Sequence, residues 1–447
     1  MPGYDIAILG AGESGTGAAL LAKKKGLKAI VSDKGQIAEK YKNVLENHEI
    51  AWEEGKHSEE VILTAGEIIK SPGIPDSVPL VKKAREKKIP VISEIEFAGR
   101  YTEATMICIT GSNGKTTTTL LTYRILKNAG LNVGLAGNVG KSFAWQVAEN
   151  DFDYYVLEIS SFQLDGMYDF RADIAVLLNI TPDHLDRYDN QMHNYIRSKF
   201  RILQNQTEDS TFIYFRDDQN IRNYMQQISP RARCIPYTSG NDTSCGAFMK
   251  NETTLVIQTN TDQFEMDTNE LTLTGRHNVY NTMASGITAR LLDIRKEIIK
   301  QSLTDFENIE HRLEHVAVVR GIEFINDSKA TNVNSTWYAL ESVKKPIIWI
   351  VGGMDKGNDY ESLAGLVQQK VKAIVCLGKD NTRIIRAFGS IVPSIVETSS
   401  AADAVKAAYY LGKTGDAVLL SPACASFDLF ENYEDRGRQF KQQVFDL

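Results

Sequence analysis

The residues with the most definite chemistry lie in the run Thr110-Gly111-Ser112-Asn113-Gly114-Lys115-Thr116-Thr117. Glycines let backbone N–H groups turn toward an anion, a lysine reaches terminal phosphates, and a threonine hydroxyl can ligate Mg²⁺. The loop lies between the apolar strand Met106-Ile107-Cys108-Ile109 and a helix expected from near Thr117. It departs from the common pattern in one place: the glycine expected five residues before Gly114 is Ile109, so the loop is a shortened variant. A nucleoside triphosphate is the expected ligand.

A second glycine turn, Gly10-Ala11-Gly12-Glu13-Ser14-Gly15, follows the strand Ile6-Ala7-Ile8-Leu9, and Asp33 ends the next strand. Alone, this pattern matches a dinucleotide site in which the acid holds a ribose. It equally suits a diphosphate carried by a nucleotide-linked substrate, and it can be a purely structural turn. A separate triphosphate loop later in the chain favours the nucleotide-linked substrate over NAD. Glu158 and His184 each follow a buried-strand run. Hard Mg²⁺ prefers oxygen, so Glu158 is the stronger candidate ligand and His184 the softer one. Lys199, in Tyr195-Ile196-Arg197-Ser198-Lys199, reads by composition as an exposed helix lysine.

These groups need elements to hold them. Strands alternate with helices through most of the chain, which implies parallel pairing, because parallel strands need a crossover. The 447 residues exceed one ordinary core, and about 150 residues per domain gives about three. The expected fold is α/β in three domains, at 1–97, 98–307 and 308–447. The outer two are Rossmann-like. The central one is a P-loop domain with a mostly parallel sheet and a small antiparallel sheet, the latter expected between Thr211 and Leu273. Strands end in turns such as Gly352-Gly353 and Ser421-Pro422, where binding groups of open α/β sheets gather.

Hydrophobic residues at 43% and charged residues at 24% suit a soluble globular chain. A net charge of −7 without a long basic run argues against nucleic acid. No apolar run reaches the roughly 20 residues of a membrane span. The N-terminus lacks the basic region of a signal peptide, and the five cysteines lack metal-ligand spacing, so a reduced cytoplasmic setting is expected.

Several further motifs follow in order: Gly137-Asn138-Val139-Gly140, Glu158-Ile159-Ser160-Ser161-Phe162-Gln163-Leu164, and Asn179 to Asp186. After them come Gly275-Arg276-His277-Asn278-Val279-Tyr280-Asn281, Glu310-His311-Arg312 and Asn326-Asp327-Ser328-Lys329-Ala330-Thr331-Asn332. With the phosphate loop, they make the whole chain resemble the Mur ligase family. The Glu158–Leu164 stretch and the tail Ser421-Pro422-Ala423-Cys424-Ala425-Ser426-Phe427-Asp428 are similar to its D-glutamate-adding branch.

The resemblance implies amide synthesis driven by ATP. A carboxylate attacks the γ-phosphate to give an acyl phosphate, and an amine displaces phosphate through a tetrahedral intermediate. The implied substrates are UDP-N-acetylmuramoyl-L-alanine and D-glutamate, handled by a monomer. In this reading the first domain holds UDP through Ser14, Asp33, Ser71 and Gly73, while Asn138, Ser160, Gln163 and His184 line the acceptor channel. ATP is held by Gly111, Ser112, Asn113, Gly114, Lys115, Thr116 and Thr117, together with Asn278, Asn281, Arg312, Asp327 and Lys329. One Mg²⁺ belongs to Glu158 and His184 and a second to Thr116. D-glutamate belongs to Thr331, Lys356, Ser426, Phe427 and Tyr433, with a helix expected to start beside Ser426 and Tyr433 standing where another aromatic is expected. The resemblance also overturns the reading of Lys199, implying a carbamylated lysine that helps to hold Mg²⁺. Ligands spread over three modules imply closure of the C-terminal domain around the acyl phosphate.

A sibling ligase or a folate polyglutamate ligase would share the central loop, and a P-loop motor would want an Asp where the strand ends at Glu158. A non-catalytic nucleotide-binding regulator would have lost Lys115 or Glu158, and both are present.

Overall fold

The computed structural model describes residues 3–259, 263–273, 275–306, 310–355 and 357–447. Lys356 and the expected boundary at 307/308 lie outside the described residues.

The short apolar runs are strands buried on both faces, as parallel sheets covered by helices require. In the first sheet, Ala51–Glu53, Ala29–Ser32, Ile6–Leu9, Glu67–Lys70 and Val91–Ile92 lie side by side, all parallel. The helix Glu13–Lys24 begins directly on the glycine turn: a Cβ on Gly15 would collide with the Gly10 carbonyl. Only glycine permits that approach.

The central sheet has nine strands. Its parallel part runs Arg233–Tyr237, Thr211–Phe215, Ile174–Leu177, Thr105–Thr110, Tyr154–Glu158 and Val133–Gly137. The antiparallel strands Ala247–Met249, Thr254–Gln258 and Gln263–Asp267 continue its edge. This corrects two expectations. The antiparallel patch starts at Ala247 rather than Thr211, and it extends the main sheet instead of forming a separate one. The physical reason is the helix Gln219–Met225, which supplies a crossover and lets Thr211–Phe215 and Arg233–Tyr237 pair in parallel.

The third sheet orders Glu314–Val319, Ile322–Asn326, Ala417–Leu420, Ile347–Val351, Val371–Leu377 and Ile395–Thr398. Only its first pair is antiparallel.

The three sheets fall in two compact units, Met1–Glu270 with Tyr280–Thr304, and Leu271–Val279 with Asp305–Leu447. Within the first unit the two sheets share one apolar core. Buried carboxylates stitch them together: Glu94 accepts from Ser142 Oγ (2.7 Å) and the Ala144 amide, and Glu96 accepts from the amides of Tyr168, Asp169 and Phe170. Burial pushes the Glu94 carboxyl up to about 7, with the bonds from Ala144 and Ser142 pulling the other way.

Candidate active site

The phosphate loop leaves the strand Thr105–Thr110 and enters the helix Lys115–Asn128, two residues earlier than expected. Gly114 has φ 81°, and a Cβ there would collide with Asn281 Oδ1, so Asn281 stands beside the loop. The loop is pinned by the segment that leads to His184. Ser112 N donates to Asn179 O (2.9 Å), Asn113 N to Asn179 Oδ1 (2.8 Å), and Asn179 Nδ2 to Asn113 O (3.0 Å). Thr181 N donates to Ser112 Oγ (2.9 Å). Thr116 and Thr117 are buried in the first helical turn.

Lys115 Nζ donates to the carbonyls of Gly111 (2.9 Å) and Ser112 (2.8 Å), curling over its own loop. Lys199, on the helix Met192–Phe200, meets it there: Nζ donates to Gly111 O (2.9 Å) and Thr110 Oγ1 (3.2 Å). Lys199 is 2% exposed, so the reading from composition as a surface lysine is wrong. Burial drives its pKa well below the ordinary lysine value, and the neighbouring Lys115 charge drives it further down, against Asp183, Glu158 and Asp165.

Glu158 ends the strand Tyr154–Glu158 at 1% exposure and accepts from Asn138 Nδ2 (2.8 Å). His184 adopts the left-handed conformation (φ 52°) and packs edge-on against Phe162 at 5.1 Å. Ser160 and Gln163 form a reciprocal capping box that starts the helix Ser161–Leu164. In the first sheet, Asp33 Oδ2 accepts from Ala11 N (2.7 Å) and its Oδ1 from Gly35 N (2.8 Å), so its carboxylate braces the glycine turn. Ser71 faces the same turn, since a Cβ on Gly10 would collide with Ser71 Oγ. Ser14 lies in the first turn of the helix Glu13–Lys24, and Gly73 sits in the exposed turn beyond Ser71.

The second unit gathers a different set. Asn278, buried, lies in the first turn of the helix Arg276–Leu291, and Asn281, also buried, follows on the same helix. Asp327 accepts from Ser421 Oγ (2.9 Å) and Leu313 N (3.2 Å); burial pushes its carboxyl up to about 7, with Ser421 and the Arg312 charge opposing. Arg312 is half-buried, and its Nε finds no hydrogen-bond partner among the described residues. Lys329 Nζ lies 5.1 Å from the Tyr433 ring centre. Ser426 is buried, while Phe427 and Thr331 are exposed. No α-helix starts at Ser426, contrary to expectation. A single turn closes through Phe430 N and Ser426 O (3.0 Å), and the next helix is Tyr433–Phe445, capped by Asn432.

Three positioning residues escaped the sequence reading. Asn179 holds the phosphate loop. Tyr195, 1% exposed, places its hydroxyl 3.1 Å from Ser112 Oγ and its ring 5.3 Å from Lys199 Nζ. The four-residue spacing of Tyr195 and Lys199 on one helix face was the available signal. Arg436, 1% exposed, donates to Ser328 Oγ (3.0 Å), Ser328 O (2.8 Å) and Cys424 O (3.2 Å), tying two of the candidate loops together. Nothing local in the sequence marks it.

The chain matches family models for the Mur ligase MurD-like N-terminal domain over 4–93, the Mur ligase middle domain over 109–289 and the Mur ligase glutamate ligase domain over 311–424. It is 57% identical over 443 residues to a UDP-N-acetylmuramoylalanine–D-glutamate ligase of Bacteroides fragilis, covering 99% of both chains. A protein of the same name from Salinibacter ruber is 39% identical over 98% of this chain and 96% of that one. Among solved structures, the UDP-N-acetylmuramate-alanine ligase of Thermotoga maritima shares the fold with a TM-score of 0.65 at 17% identity, covering 99% of each chain. Shared motifs, a phosphate loop facing a buried lysine and full-length similarity agree: this chain belongs to the Mur ligase family.

Proposed function

We propose that the chain is an ATP-dependent ligase that joins D-glutamate to UDP-N-acetylmuramoyl-L-alanine in cytoplasmic peptidoglycan precursor synthesis. One observation carries the reaction class: Lys115 and Lys199 converge on the Gly111 carbonyl at a phosphate loop, with Glu158 close enough to act on the Lys199 charge. That arrangement suits the approach of two anions, a carboxylate and a triphosphate, whose repulsion Lys115, the amides of the helix N-terminus and bound Mg²⁺ would offset, with Lys199 helping to hold the metal once carbamylated. The substrates rest on the identity with the D-glutamate ligases.

In this reading Lys115 leaves its loop carbonyls to bind phosphate, joined by the amides at the start of the helix Lys115–Asn128. The first sheet holds the UDP group at its carboxyl edge. Thr331, Ser426, Phe427 and Tyr433 hold D-glutamate, with Lys356 as a proposed carboxylate partner. The domain division at 97 and 307 follows the same division of labour.

Mg²⁺ fits the donors present. Among the described residues, no three His, Cys, Asp or Glu side chains converge as a metal cage. Mg²⁺ characteristically takes one or two protein ligands with phosphate and water. Glu158 and His184 would hold one ion and Thr116 another, and bound ions would supply charge neutralisation on the phosphates. Lys199 is proposed to be carbamylated. Its depressed basicity favours the neutral amine, whose lone pair attacks the carbon of CO₂. A C–N bond forms, one C=O electron pair moves to oxygen, and a proton leaves to solvent.

The decisive measurement is ADP release with UDP-N-acetylmuramoyl-L-alanine across D-glutamate, L-glutamate, L-lysine and L-alanine. Release with D-glutamate alone is expected. Release with L-glutamate and not D-glutamate would sink the substrate assignment while leaving the family intact.

A further inference from the structure

Three neighbouring parallel strands of the third sheet, Ile322–Asn326, Ala417–Leu420 and Ile347–Val351, release their loops at one edge. The loops 327–332, 421–427 and 352–358 meet there at Ala423, a residue with no role so far. Ala423 is fully buried and adopts the left-handed conformation, φ 59°. For a residue with a Cβ that conformation is costly and persists only where the surroundings dictate it. Its N donates to Ala330 O (3.0 Å) on one loop, and its O accepts from Asn358 Nδ2 (3.0 Å) on another. Its neighbours extend the seam: Gly352 N donates to Pro422 O (3.0 Å) and Met354 N to Ala425 O (2.8 Å). Asn358 Nδ2 also lies 3.2 Å from the Tyr360 hydroxyl and 3.4 Å from Cys424 Sγ.

A second clamp grips the same loop from outside. Arg383, on the helix Thr382–Phe388 with its side chain 53% exposed, donates from Nη1 to Asp355 Oδ1 and from Nη2 to Asn358 O, both at 2.8 Å. Asp355 Oδ1 in turn accepts from Gly357 N (2.7 Å) and Asn358 N (2.9 Å). These bonds fix the backbone on both sides of position 356. Arg383 holds no strand and seals no core; what its guanidinium fixes is a loop. A ligand with two carboxylates and an amine needs donors at set separations, and donors spread over three loops keep them only if the loops are locked together. We propose that Asn358 and Arg383 are positioning residues for the incoming amino acid, setting the loop of Lys356 against those of Thr331 and Ser426 through the turn at Ala423. The inference rests on the reading above that these loops bind D-glutamate.

The test is initial-rate ADP release by the full-length protein, varying D-glutamate, ATP and the UDP-linked acceptor in turn, with thermal unfolding in parallel. Asn358→Ala is expected to raise KM for D-glutamate about tenfold, the value of one well-placed hydrogen bond. Arg383→Ala is expected to raise it about fivefold, less because the ion pair is half in solvent. KM for ATP and for the acceptor should stay within about twofold of the parent, a split that simple loss of folded protein does not produce. Arg383→Lys keeps a cation for Asp355 without the planar fork, so its KM should fall between parent and Arg383→Ala. Because Arg383 is outside the core, its variants decide the matter even where Asn358→Ala does not fold. A KM for D-glutamate within about twofold of the parent in either folded alanine variant, or an effect spread equally over all three substrates, overturns the inference and leaves the substrate reading standing. A parent protein that releases no ADP with D-glutamate overturns both.

Discussion

Removing the side chain of Asn179 isolates the contribution of phosphate-loop preorganisation. Asn179→Ala deletes two hydrogen bonds, Asn113 N to Oδ1 (2.8 Å) and Nδ2 to Asn113 O (3.0 Å), and leaves the backbone bond from Ser112 N to Asn179 O intact. At ~1 kcal/mol net for each bond, the folded loop loses about 2 kcal/mol. For a unit of this size that lowers Tm by about 4 °C. If the same ordering must be restored when ATP binds, kcat/KM for ATP falls about thirtyfold. Asn179→Asp separates stability from binding. It keeps an acceptor for Asn113 N, so Tm drops less, but it sets an anion beside the phosphates, so ATP use drops further. Steady-state ADP release at saturating acceptor and D-glutamate, with thermal unfolding in parallel, reads both. An Asn179→Ala protein with kcat/KM for ATP within twofold of the parent would refute the reasoning, because the loop would then be ordered without its anchor.

Three further outcomes are expected. Glu94 has a folded pKa near 7 against 4.5 unfolded, so the folded state binds more protons across that window and stability falls as pH rises through it; Glu94→Gln removes the effect. Thermal unfolding should show the variant matching the parent near pH 5 and exceeding it at pH 8 by up to roughly 3 kcal/mol, the value of that interval. Arg436→Lys keeps the charge but loses the planar fork that reaches both Ser328 and Cys424; KM for D-glutamate should rise about tenfold with kcat changed less, read by initial rates. Crystals grown near neutral pH with bicarbonate should show carbamate density on Lys199, and an unmodified ammonium turned away from Glu158 would exclude the modification.

Much of the site was legible in the chain because its parts are contiguous. A phosphate loop is recognised by backbone amides, so the run from Gly111 to Thr117 announces itself locally, as does the glycine turn at Gly10. The alternation of buried strands and helices likewise foretold the α/β fold and its parallel sheets. Where a crossover element was short, as at Gln219–Met225, the pattern misled, and two parallel strands were read as part of an antiparallel patch.

Sequence by itself, then, determined the phosphate chemistry and the family, since both live in local spacing. Only tertiary structure decided the environments. Lys199 lies 88 residues from the Gly111 carbonyl that it contacts, and Arg436 lies 108 residues from Ser328. A lysine at a helix surface position and a lysine sealed against a phosphate loop look alike in sequence. Whether the ammonium is solvated or depressed toward a neutral amine depends on which distant strands close over it.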